Sequence, residues 1–135
     1  MSLLYMVNPL EPAMRSGLNE IVRPAGITAL RYTALTVLER HDGLSTAQLA
    51  RDSFVSAQSM ADIVRTLEGR GFVERERNPA NRRELTIHLT GAGRELLADL
   101  AEPVRRLEER MVGDLSPRQE EQLRRTLSQA WRALT

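Results

Sequence analysis

Four arginines crowd one short stretch of this chain: Arg75 and Arg77 alternate with glutamates, and Arg82 and Arg83 stand together a few residues on. A guanidinium offers a planar fork of N–H donors that matches a phosphate or the O6/N7 edge of guanine. Upstream, Gln58, Asp62 and Arg65 recur at intervals of four and three, with Ser59 and Thr66 beside them. On a helix that spacing puts them on one face, where Gln can pair with adenine and Arg with guanine. An ordinary solvated helix face carries similar residues, so the spacing alone leaves both uses open. Catalysis has no comparable constellation. His41 and His88 stand alone, with neither metal-ligand spacing nor a nucleophile signature around them. There is no Gly-rich phosphate loop. With no Cys, disulfides, thiolate metal sites and thiol redox sensing are excluded. The residues therefore predict neither an enzyme nor a bound cofactor.

Positioning such side chains takes a folded scaffold, and 135 residues suffice for one domain that buries roughly two-thirds of its unfolded surface. Aromatic residues reach only 4%, so Leu, Val, Ile, Met and Ala must build the core, which favours helices packed on helices. The net charge of +1 gives no strong overall field toward nucleic acid. Every basic side chain is Arg and none is Lys. Codon usage in a genome rich in G and C accounts for that, and so does a need for bidentate contacts. No apolar run approaches the ~20 residues of a membrane span. Met1 to Val7 is apolar but lacks a basic leader and a signal-cleavage pattern. A cytoplasmic protein with no membrane partner is the expectation.

The scaffold is legible in its punctuation. Met14, Leu18, Ile21 and Val22 recur at helical spacing until Pro24. Thr28 caps a second helix bearing Leu30, Ala34, Leu35 and Leu38. Ser45 and Gln48 form a capping box for a short third helix, with Leu44 and Leu49 as its hydrophobic staple. Ser56 caps a fourth, which ends at Gly69-Arg70-Gly71 where a glycine can turn left-handed. Alternation then replaces helical periodicity. Val73, Arg75 and Arg77 form one strand, and Leu85, Ile87 and Leu89 another beyond a turn at Asn78-Pro79-Ala80-Asn81, predicting a two-stranded hairpin. Thr90 caps a long helix with Leu96, Leu97, Leu100, Val104, Leu107 and Met111 in one stripe, and Pro103 predicts a kink within it. Ser116-Pro117-Arg118-Gln119 opens a last helix carrying Leu123, Leu127, Ala130, Trp131 and Leu134.

Two helices joined by a tight turn and followed by a hairpin with an arginine-rich tip form a winged helix-turn-helix pattern. In the fourth helix Met60, Ile63, Val64 and Leu67 share the face that must be buried, which turns Gln58, Asp62 and Arg65 outward. Ile27 to Leu100 resembles the MarR family in order and spacing. The resemblance is carried by Ile27-Thr28, by Leu67-Glu68-Gly69-Arg70-Gly71-Phe72-Val73-Glu74-Arg75, by Asn78-Pro79-Ala80-Asn81-Arg82-Arg83, and by Leu89-Thr90-Gly91-Ala92-Gly93-Arg94.

The resemblance implies a mainly α fold with a small β-hairpin wing and flanking dimerisation helices. One domain is expected over residues 1–135, with a winged core at 27–90 and dimerisation helices at 9–23 and 91–135. It implies a homodimer that regulates transcription on a pseudo-palindromic operator in double-stranded DNA. The DNA-binding residues would be Ser45, Ser56, Gln58, Ser59, Asp62, Arg65, Thr66, Arg75, Arg77, Asn81, Arg82 and Arg83, with Arg83 in the minor groove and Arg82 on phosphate. Ile21, Leu107, Met111, Leu123, Leu127, Trp131 and Leu134 would form the dimer interface, although the last helix could equally cover its own core. A small aromatic or anionic effector would meet Met14, Leu18, Arg31, Tyr32 and Leu35, which are also what a packed core would use. Three positions depart from the family pattern. Asp62 and Arg65 exchange the usual signs, Asn81 replaces Asp as the partner of the wing arginine, and Phe54 stands where relatives often have Gly. Asp62, Asn81 and the near-neutral net charge leave open a second class of function, a winged-helix protein-interaction module without DNA binding.

Overall fold

Five of the predicted helices begin at a residue, Thr28, Ser45, Ser56, Thr90 or Ser116, whose side chain accepts from a first-turn N–H group. A computed structural model describes all residues, Met1–Thr135. The chain divides into two units, Met1–Glu102 and Pro103–Thr135. The flanking segments 9–23 and 91–102 thus belong with the winged core. The physical reason is that Val22, Leu97 and Leu100 bury their side chains in that core, and Ile21 packs against it.

In the first unit, α1 (Leu3–Val7) is an additional short helix that the apolar start did not announce, and all its residues are exposed. Next come α2 (Leu10–Val22), a 3-10 turn at Arg23–Ala25, and α3 (Ala29–Arg40). The Thr28 hydroxyl accepts from Arg31 N at 3.4 Å, and Asn19 Oδ1 of α2 accepts from Ala29 N at 2.8 Å. The start of α3 is therefore tied to α2, a link that no local pattern foretells. The capping box at α4 (Thr46–Asp52) forms as expected: Ser45 Oγ accepts from Gln48 N at 3.2 Å and Gln48 Oε1 from Ser45 N at 3.1 Å. Ser56 caps α5 (Ala57–Gly69) by accepting from Ser59 N at 3.1 Å.

The predicted hairpin forms, but it belongs to a sheet of three strands. A two-residue strand β1 (Leu44–Ser45) pairs antiparallel with β3 (Asn81–Leu89), which also pairs with β2 (Val73–Asn78), giving the order β1-β3-β2. β1 escapes sequence reading because two residues cannot show alternation, and the same residues spell a helix cap. Only the base of the sheet is buried. Val73, Ile87 and Leu89 are core residues, whereas Leu85 is 37% exposed because the wing runs out beyond the core. The core itself joins Val22, Leu35, Leu38, Leu49, Met60, Leu67 and Ile87, all at 0% exposure. Burying each such side chain is worth about 1.5–3 kcal/mol.

The step from wing to α6 (Gly91–Val112) is a close backbone contact. Thr90 Oγ1 donates to the Gly71 carbonyl at 2.6 Å and accepts from Gly93 N at 3.1 Å. A Cβ on Gly93 would collide with the Phe72 carbonyl, so only glycine lets α6 start there. α6 continues through Pro103, and the boundary between the two units falls at that residue, where the sequence predicts the kink. In the second unit the Ser116–Gln119 capping box opens α7 (Pro117–Leu134), which has no buried residue. No helix of the chain is long and apolar enough to cross a membrane.

Candidate nucleic-acid interface

Helix α5 places the candidate readout residues through its burial pattern. Met60, Ile63, Val64 and Leu67 are at most 7% exposed, so the core fixes the rotation of the helix. Gln58, Ser59, Asp62 and Arg65 are then exposed on the opposite side, and Thr66 is half-buried. A 13-residue helix with that outward face has the width and chemistry to enter a major groove. Ser45 and Ser56 mark the starts of α4 and α5, but their hydroxyl lone pairs already serve the caps. Their remaining value at a DNA surface is to hold helix N-termini, where N–H dipoles favour phosphate. Arg65 is hydrogen-bonded to Asp62 of the preceding turn, so the exchanged signs form the local ion pair that i,i+3 spacing allows.

The arginines of the wing separate into two pairs. Arg75 reaches back to Glu68 on α5 at 3.2 Å, and Arg77 Nη1 donates to the Arg82 carbonyl at 2.8 Å. Both are engaged in holding the hairpin and its junction with α5. Arg82 and Arg83 are exposed, and neither guanidinium is tied to a carboxylate. The sequence cluster of four is thus a structural pair beneath a solvent-facing pair. Asn81 does not reach a guanidinium. Its Oδ1 accepts from Arg83 N at 3.2 Å, as Asn78 Oδ1 accepts from Ala80 N at 2.9 Å, so two side-chain turns shape the tip. The Asn81 substitution therefore orients the backbone of Arg83 and leaves its side chain unrestrained by that contact.

Sequence reasoning missed the anchor beneath the wing. Asp42 Oδ1 accepts from Leu89 N at 2.9 Å, while its Oδ2 lies 3.5 Å from His88 Nδ1 and 3.6 Å from Arg94. His88 Nε2 is 2.8 Å from Thr86 Oγ1 and 3.5 Å from Glu76. His88, solitary in sequence, thus joins the α3–β1 turn to both wing strands. Nothing local signals it, because Asp42 and Glu76 come from segments far from His88 in the chain. Phe54 adopts φ 60, the left-handed conformation that its glycine-like position requires.

The remaining candidates divide by burial. Leu35 is fully buried and belongs to the core; Tyr32 packs against it. Leu18 and Arg31 are half-buried, and Met14 is 40% exposed on α2. Of the candidate interface residues, Ile21 packs on the winged core, whereas Met111, Leu127, Trp131 and Leu134 are 49%, 49%, 53% and 85% exposed. Leu107 and Leu123 are half-buried.

The chain is similar to known proteins in sequence and in fold. A family model described as "MarR family" matches residues 27–85. The chain is 32% identical over 123 residues to the "HTH-type transcriptional repressor Rv2887" of Mycobacterium tuberculosis, covering 91% of this chain and 88% of that one. Its fold is similar to that in the "Crystal structure of S. aureus MepR-DNA complex", with a TM-score of 0.87, 21% identity, and coverage of 100% of this chain and 99% of the other. It is likewise similar to "Transcriptional repressor, CouR, bound to a 23-mer DNA duplex", with a TM-score of 0.85, 25% identity, and coverage of 96% and 92%.

Proposed function

The chain belongs to the MarR family of winged helix-turn-helix transcriptional regulators, and from that premise we propose that it acts as a homodimer on a pseudo-palindromic DNA operator. The observation that carries this reading is the presentation of α5. Its apolar face is locked in the core while Gln58, Ser59, Asp62 and Arg65 face outward, with Arg82 and Arg83 available at the wing tip. In this arrangement α5 reads the major groove, where Gln58 matches adenine and Arg65 guanine or phosphate. The wing brings Arg83 to the adjacent minor groove, and Arg82 neutralises a phosphate. A second copy supplies the same elements to the other half-site, which doubles the contact set that one short helix offers. The repressor names of the relatives favour repression as the outcome of binding. A small aromatic or anionic effector is part of the proposal, received beside Met14, Leu18, Arg31 and Tyr32, with Leu35 contributing only as core beneath them. Such a ligand regulates by binding the DNA-competent and DNA-incompetent states with different affinity.

The alternative, a winged-helix interaction module, is favoured by one observation: Asp62 occupies Arg65 on the face that would meet phosphates. Asp62→Asn separates the two. In the DNA-binding reading it removes a repulsive charge and releases Arg65, so affinity for every duplex rises and the salt slope steepens by about one. If Asp62 instead accepts from a cytosine, the same substitution should weaken operator binding selectively. Titration of parent and variant against duplexes from upstream of the gene and scrambled controls, at several salt concentrations, tests this. Failure of both proteins to bind any duplex at low salt sinks the DNA-binding reading.

A further inference from the structure

The turn between α4 and α5 is closed by the same hydrogen bonds as the end of α5. At the end of α5, Phe72 N donates to the Leu67 carbonyl at 2.9 Å and Gly71 N to that of Glu68 at 3.0 Å. At the end of α4, Val55 N donates to the Ala50 carbonyl at 3.1 Å and Phe54 N to that of Arg51 at 3.2 Å. Both are Schellman motifs, whose residue just past the helix must take a left-handed conformation. Gly71 fills that place at φ 80; Phe54 fills the other at φ 60 and is the one non-glycine residue of the chain with positive φ. A Cβ is disfavoured there, and the bonds from residues 54 and 55 back to α4 prevent relaxation.

Strain of this kind is ordinary when it delivers a side chain to the core. Here it does not. Phe54 is 73% exposed, whereas the other phenylalanine, Phe72, packs against the core. The conformation therefore presents a large apolar ring to solvent, in a chain with only 4% aromatic residues. Its place is specific: Phe54 stands two residues before Ser56, the N-cap of α5, and the first residues of such a helix are those that approach base edges in the groove. The apolar group that a major groove displays is the C5 methyl of thymine.

We propose that Phe54 is a DNA-contact residue whose ring seats on apolar surface of the duplex at the edge of the major groove, with a thymine methyl as the group it fits. The proposal rests on the operator-binding reading above. Its test compares the parent with Phe54→Gly, Phe54→Ala and Phe54→Leu, using duplexes tiled across the DNA upstream of the gene and anisotropy titration on the tightest one. Phe54→Gly should raise the thermal midpoint, because strain is relieved, yet weaken binding about tenfold. Phe54→Ala should lose comparable affinity without the full gain in midpoint, and Phe54→Leu should retain most of the affinity. Replacing thymine by deoxyuridine in the duplex should weaken the parent and leave Phe54→Gly unaffected. If the ring variants weaken but deoxyuridine has no effect, the contact stands and its partner is deoxyribose, which overturns the methyl assignment. Phe54→Gly and Phe54→Ala binding as tightly as the parent overturns the Phe54 contact alone. A parent that binds no duplex overturns the contact and the operator reading together.

Discussion

Leu35 and Leu127 occupy the apolar stripes of two amphipathic helices, yet Leu35 is 0% exposed and Leu127 is 49% exposed. The difference is general to their units. In Met1–Glu102 the stripes of α2, α3, α4, α5 and the start of α6 converge with the base of the sheet into one core. In Pro103–Thr135, by contrast, α7 leaves Leu127, Trp131 and Leu134 exposed at 49%, 53% and 85% and buries no residue. A periodic pattern identifies the face that gains from burial, but the partner that buries it need not be in the same chain. The winged unit is arranged to fold on itself. The second unit leaves its stripe uncovered, and the proposed second copy would cover it.

The largest expected effect breaks that contrast outright. Removing the chain from Ser116 onward should abolish dimerisation, read as a halved mass or aggregation in light scattering. A truncated protein that remained a folded dimer would show that assembly does not depend on α7. Next in size, Leu35→Ala should cost about 2–5 kcal/mol of unfolding free energy in urea, because it opens a cavity in the core. Leu127→Ala should instead act through assembly, lowering a melting midpoint whose value depends on protein concentration. Equal, concentration-independent losses for the two variants would erase the distinction between the units. Smaller still, Arg83→Ala should leave the urea transition within about 0.5 kcal/mol of the parent. It should weaken operator binding by about 1–3 kcal/mol per half-site. Unchanged affinity at physiological salt would remove Arg83 from the interface.

The second unit also shows how far local signals reach. The capping boxes at Ser45 and Ser116 form as the spacing predicts, in the buried unit and the exposed one alike. A capping box closes within four residues and needs no tertiary partner. The same holds for the Asp62–Arg65 pair, set by helical spacing. The wing arginines behave otherwise. Arg75 and Arg77 are spent on Glu68 and on the Arg82 carbonyl, and the sequence does not separate them from Arg82 and Arg83. Asn81 turns toward Arg83 N because an amide oxygen two residues from a backbone N–H closes a local turn more readily than it reaches a mobile guanidinium.

By itself the sequence determined the helices from α2 onward, the side-chain caps from α3 onward, the buried face of α5 and so the outward set Gln58, Asp62 and Arg65, since each follows from periodicity or from bonds spanning a few residues. Tertiary structure alone decided that Leu44–Ser45 joins the sheet opposite Ile87 and Thr86, and that Asn19 caps α3 from another helix. It also decided that Asp42 and His88 anchor the wing. Those contacts join residues far apart in the chain, and their positions exist only once the core has closed and brought the segments together.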